Sequence, residues 1–177
     1  MSFAPPETFL LLVDLQGRLM PAITGGAAAT ANAVRLGQAA RLLSIPVVAT
    51  EQNPAGLGPN APEIAALAER TLTKRYFDAT REAGFAAFVP PGRRYVVVAG
   101  CEAHVCVLQT TLGLLGRGYP VRLVADAIGS RVDANRTAAI DRARAHGAEI
   151  VTTEMVIFEW LGTCDHPRFR DCLALVR

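Results

Sequence analysis

Short, almost wholly apolar runs separated by longer segments rich in Ala, Leu and Arg constrain this chain most. Residues 9–13 read FLLLV and residues 96–99 read VVVA, with no polar residue in either. A strand with one face in water alternates polar and apolar positions. These runs do not, so both of their faces must be covered. Strands are expected at 9–13, 46–50, 71–74, 94–99, 121–125 and 149–152. Helices are expected at 30–43, 61–68, 103–117 and 134–146, with Gly147 placed to stop the last of these and Thr153 placed to cap a further helix to Leu161. Residues 51–62 carry Pro54, Gly56, Gly58, Pro59 and Pro62 and read as a loop. This alternation predicts an α/β three-layer sandwich: a six-stranded, mostly parallel sheet with helices on both faces.

With 177 residues, 51% of them hydrophobic, the chain suffices for one domain with a sizeable core. A net charge of +2, spread over both signs, gives no basic track for a nucleic-acid backbone. No segment is apolar for long enough to cross a membrane. Residues 1–8 lack the basic start and apolar core of a secretory leader, so a reducing cytoplasm and free thiols are expected. Cys101, Cys106, Cys164 and Cys172 form no C-x-x-C pair, and the chain has three histidines, so metal-ligand spacing is absent. Neither G-x-G-x-x-G after the first strand nor G-x-x-x-x-G-K-[ST] occurs, which disfavours a nucleotide-binding domain.

Chemistry concentrates where strands end. Open α/β sheets bind ligands beyond the carboxyl ends of their strands. Asp14 follows the first strand, Lys74 ends the third, and Cys106 follows the fourth after a turn at Gly100. Cys106 falls near the first turn of a predicted helix, where free N–H groups and the dipole favour a thiolate and can also hold an oxyanion. Each residue has a plainer reading. A buried cysteine is more often a small hydrophobe, Asp14 is equally suited to capping a loop, and a lone lysine is more often a solvated cation. Together they are a nucleophile, a general base and a cation that holds both anions. His104 lies two residues before Cys106 and would not share its helix face, which assigns it to structure or to a pocket rim. Cys101 follows Gly100 directly and is expected to pack. Asp126 is read as a brace of the same edge.

These residues resemble the isochorismatase-like cysteine hydrolases. The likeness runs through Leu11-Leu12-Val13-Asp14-Leu15-Gln16, Thr50-Glu51-Gln52-Asn53-Pro54, Thr73-Lys74, Gly100 to Thr111 and Ser130-Arg131. Gly100-Cys101-Glu102-Ala103-His104-Val105-Cys106, with the late Thr152-Thr153-Glu154 and His166-Pro167-Arg168-Phe169, is nearest the YcaC-like, or isochorismatase domain-containing, branch. The resemblance implies an Asp–Lys–Cys triad at Asp14, Lys74 and Cys106. It also implies a cis peptide at Cys101–Glu102 and an oxyanion hole from the N–H groups of Glu102 and Cys106. It implies acyl transfer through a thioester on a small amide or related C–N substrate, without cofactor, in a homo-oligomer. Relatives that are nicotinamidases carry Asp-x-His after the second strand. Here that place reads Glu51-Gln52-Asn53, so no metal is expected and nicotinamidase activity is disfavoured. Gln16, Glu51, Tyr76 and His104 are candidates to line the pocket. The alternative is a catalytically silent binding or scaffold protein on the same fold.

Overall fold

A computed structural model describes residues 4–177, so the first three residues of the stretch 1–8, read above for a secretory leader, lie outside the described residues. Six strands, β1 Thr8–Val13, β2 Val47–Gln52, β3 Arg70–Lys74, β4 Tyr95–Cys101, β5 Val121–Gly129 and β6 Glu149–Val151, form one sheet in the order β3-β2-β1-β4-β5-β6. Every neighbouring pair is parallel. The helices are α1 Gly26–Leu42, the single turns α2 Pro54–Leu57, α3 Pro62–Ala65 and α4 Phe85–Phe88, then α5 Leu108–Gly116, α6 Asp133–Ala145, α7 Thr153–Leu161 and α8 Phe169–Val176.

The period of two along each strand sorts side chains into two cores. Leu10 and Leu12 of β1 join Val97 and Ala99 of β4 on the side covered by α1, α7 and α8. Phe9, Leu11 and Val13 face the other way with Val96 and Val98, toward α5 and α6. All six residues of β1 are buried, which is what a wholly apolar run requires. Burying one such Leu, Val or Phe side chain contributes roughly 1.5–3 kcal/mol.

Several boundaries differ from the sequence reading, each for a local reason. α1 starts four residues earlier than expected, at Gly26 rather than Thr30. Only one turn of the expected 61–68 helix forms. β5 continues to Gly129 through an irregularity: Val98 pairs Leu123 and Gly100 pairs Ile128, so β5 advances five residues while β4 advances two. Asp126 sits in that irregular stretch, and its Oδ1 accepts from the Thr153 N–H at 2.8 Å and from the Thr153 hydroxyl at 3.0 Å. The cap of α7 is therefore Thr152, whose hydroxyl accepts from the Met155 N–H, and not Thr153. α6 ends at Ala145, and Gly147 at φ +100° turns the chain toward β6. α8 was not anticipated. Its signal was present as Phe169, Cys172, Leu175 and Val176 at helical spacing, all packed on the α1 side of the sheet.

Strand order reverses between β1 and β4, and the site lies at that switch point. Gly100 is indispensable to it. At φ +133° a side chain is disfavoured, and a Cβ would stand 2.0 Å from the Val13 carbonyl oxygen, a backbone atom that cannot move aside without tearing the β1–β4 ladder. Gly100→Ala is expected to destabilise the fold by more than about 3 kcal/mol, read as a lowered urea midpoint.

Candidate active site

The register of three neighbouring strands assembles the polar centre. Val13 pairs Thr50 and Gln52 pairs Lys74, so the ends of β1, β2 and β3 lie side by side with β2 in the middle. Asp14 leaves β1 with φ +50°, a left-handed conformation that Asp tolerates better than most residues. Its Oδ1 accepts from the Thr50 hydroxyl at 2.7 Å. Its Oδ2 faces the Lys74 ammonium at 2.7 Å, at an angle outside hydrogen-bond alignment, and accepts nothing else among the described residues. Both side chains are 0% exposed. The ammonium also donates to Gln52 Oε1 at 2.7 Å and, at longer range, to the carbonyls of Phe77 and Tyr76. Those carbonyls come from the loop after β3. Glu82 fastens that loop by accepting the N–H groups of Arg75 and Tyr76, and these bonds hold its carboxyl below the usual range.

Cys106 enters from β4. The expected helix from Ala103 does not begin as an α-helix: Ala103–Val107 is a π-helical turn, with the Val107 N–H bonded to the Glu102 carbonyl five residues back. Cys106 thus precedes α5 rather than sitting in its first turn, and the thiol is buried. The expectation of a favoured thiolate is also corrected. Burial first, then the Asp14 charge, pushes the Cys106 thiol from 9.0 up to about 12. Lys74 only partly offsets these effects. The physical reason is that the lysine charge is already matched by the carboxylate beside it.

The Cys101–Glu102 peptide is cis. Glu102 Oε2 accepts from the Arg131 backbone N–H at 2.9 Å, and both of its oxygens accept from the Arg131 guanidinium at 3.1 Å. This ties the turn that carries Cys106 to the end of β5. Cys101 is fully buried in the core on the α1 side, and burial pushes its thiol up to about 12 as well.

The pocket candidates separate. Gln16 is wholly buried, and its amide is spent on the Gln52 N–H and carbonyl and on the Gly58 carbonyl, which makes it a wall brace. Glu51 Oε1 accepts from the Asn60 N–H. The Tyr76 ring points outward under the Arg81 guanidinium, and its backbone carbonyl is what reaches Lys74. His104 Nδ1 lies 3.0 Å from the Ser130 hydroxyl. Gln52 and Thr50 were not singled out by the sequence reading. Gln52 Oε1 touches the ammonium and lies 4.0 Å from the Cys106 Sγ. The available signal was their place at the β2 end, in register with both charged residues. Among the described residues no group of three or more His, Cys, Asp and Glu side chains is placed to hold a metal ion, and no helix is long and apolar enough to cross a membrane.

A doubly wound parallel sheet, with a carboxylate, an ammonium and a thiol buried at its switch point, defines a three-layer α/β architecture. The model of the isochorismatase domain matches residues 8–155, and the chain belongs to that family. It is 37% identical over 173 residues to isochorismatase domain-containing protein 2 of Macaca fascicularis, covering 98% of this chain and 84% of that one. Among solved structures, the MAR1 ribonuclease of Caenorhabditis elegans superposes with a TM-score of 0.93 at 35% identity, covering 99% of this chain and 92% of that one. YcaC of Escherichia coli, described as an octameric hydrolase of unknown specificity, superposes with a TM-score of 0.88 at 25% identity, over 99% and 87%.

Lys74→Met keeps the side-chain bulk but leaves Asp14 buried without its cation. A loss of about 3–5 kcal/mol is expected in urea unfolding. Asp14→Asn combined with Lys74→Met should recover part of that loss, giving a non-additive double-mutant cycle.

Proposed function

We propose that this chain is a metal-independent cysteine hydrolase acting on a small amide or related C–N substrate. The observation that carries the reading is the buried Asp14–Lys74 pair with the Cys106 thiol against it. A thiol held near 12 is ionised to only about one part in 10⁵ at pH 7. Attack therefore requires proton removal in the same step, and Asp14 is the neighbouring base. As Sγ bonds to the acyl carbon, its proton passes to Asp14. The carbonyl electrons move to oxygen, and the oxyanion rests on the N–H groups of Glu102 and Cys106. Collapse breaks the C–N bond, and the amine leaves with the proton from Asp14. Water then attacks the thioester with Asp14 again as base, releasing the acid and restoring the thiol. Lys74, 2.7 Å from Asp14, holds the carboxylate in place between proton transfers.

Hydrolase chemistry agrees with the description of the E. coli relative, and its octamer supports self-association here. The four unpaired cysteines support a reducing compartment.

The test combines a screen of small amides with iodoacetamide labelling of Cys106 across pH. Cys106→Ala should abolish hydrolysis. Asp14→Asn should move the labelling profile to lower pH, because it removes the anion that raises the thiol, while hydrolysis falls by about 10²–10⁴. A free thiolate that is easier to form in a slower enzyme is the signature of a lost base. If Asp14→Asn lowered the labelling pH and raised turnover together, Asp14 would be no base. If Cys106→Ala left amide hydrolysis intact, or RNA cleavage persisted in it as the only activity, the cysteine-hydrolase reading would fail.

A further inference from the structure

At the opposite edge of the sheet, where β4 and β5 begin, lies a cavity of about 410 Å³ lined chiefly by Arg93, Arg94, Tyr95, Arg117 and Tyr119. Three arginines line it. Arg117 donates to the Thr80 carbonyl at 2.6 Å and lies over the Phe85 ring, 5.9 Å from its centroid. Arg93 donates to the carbonyls of Pro5 and Pro6. Both are therefore fixed by neutral acceptors, and among the described residues neither forms an ion pair. Among the described residues, the ion pair that these arginines make is Arg94 with Glu7 at 3.7 Å, and both of those side chains reach solvent. Against three cations, that leaves a surplus of positive charge within one concavity.

Guanidinium groups held in place present N–H forks suited to phosphate oxygens. Tyr119 adds an aromatic ring and a hydroxyl. Tyr119 is steadied by its edge-to-face contact with Phe9, at 6.4 Å and 85°. The cavity volume lies in the range of small-molecule sites. β4 carries the chain from Tyr95 at this edge to Cys101 at the catalytic edge, six steps of about 3.3 Å, so the two sites stand roughly 20 Å apart.

We infer that the Arg93–Arg94–Arg117 cavity is a second, non-catalytic binding site for a phosphomonoester carried on a planar aromatic group. The phosphate engages the guanidinium forks and the ring lies against Tyr119.

Isothermal titration of the full chain with adenosine 5′-monophosphate, at low and at physiological salt, tests this, with adenosine and inorganic phosphate as comparators. Saturable binding of one equivalent is expected, weakened by salt, competed by inorganic phosphate and lost for adenosine. Arg94→Gln should weaken it about tenfold, and Arg93→Gln with Arg94→Gln should remove it, with thermal midpoints unchanged by the Arg94 substitution. Cys106→Ala should leave it intact. Absence of saturation at millimolar ligand, an unchanged affinity in Arg94→Gln, or loss of binding in Cys106→Ala would each overturn the assignment. The last of these would place the ligand at the catalytic edge instead. None of these outcomes depends on amide hydrolysis.

Discussion

The buried ion pair between Asp14 and Lys74 is the interaction on which the rest of the site depends. Removing each charge from water costs several kcal/mol, and their mutual attraction returns this only when the surrounding geometry is complete. Here it is: the Thr50 hydroxyl serves one carboxylate oxygen, and Gln52 with two loop carbonyls serves the ammonium. A pair so enclosed is weak evidence for stability. It is better explained as a device that holds a carboxylate in one orientation in an apolar setting.

That device has a cost at the thiol. A carboxylate beside Cys106 opposes its ionisation, and the lysine cannot serve both anions equally. On the proposed reading, reactivity at Cys106 lies in a short path for the proton rather than in a standing thiolate. The same logic separates Cys106 from Cys101. Both thiols are pushed up by burial, but for Cys106 the Asp14 charge is the next largest cause, whereas Cys101 packs on the other side of the sheet.

The sheet supplies the alignment. With β2 lying between β1 and β3, a carboxylate just past β1 meets a lysine at the end of β3 across the Thr50 and Gln52 side chains. With β4 against the other edge of β1, the chain after Gly100 returns beside the same carboxylate. Gly100 allows β4 to pass Val13 closely, and the Glu102–Arg131 contact holds the following turn to the end of β5.

The sequence by itself determined the layering and the location of the chemistry. Runs such as FLLLV have no polar face, so the sheet had to be covered on both sides. Asp14, Lys74 and Cys106 each stand at a strand end, which put them on one edge before any contact was known. Tertiary structure decided what the residues do to one another. Periodicity carries no information about this π-turn, because Ala103–Val107 is too short to set its period apart from that of an α-helix, so the frame of Cys106 was misread. The direction of its thiol shift was misread with it, since desolvation and the Asp14 charge exist only once β1, β3 and β4 are side by side. Gln16 and Gln52 illustrate the same limit. Both are glutamines at strand ends, yet one is used up bracing a loop and the other faces the ammonium. Only strand register, a long-range property, distinguishes them.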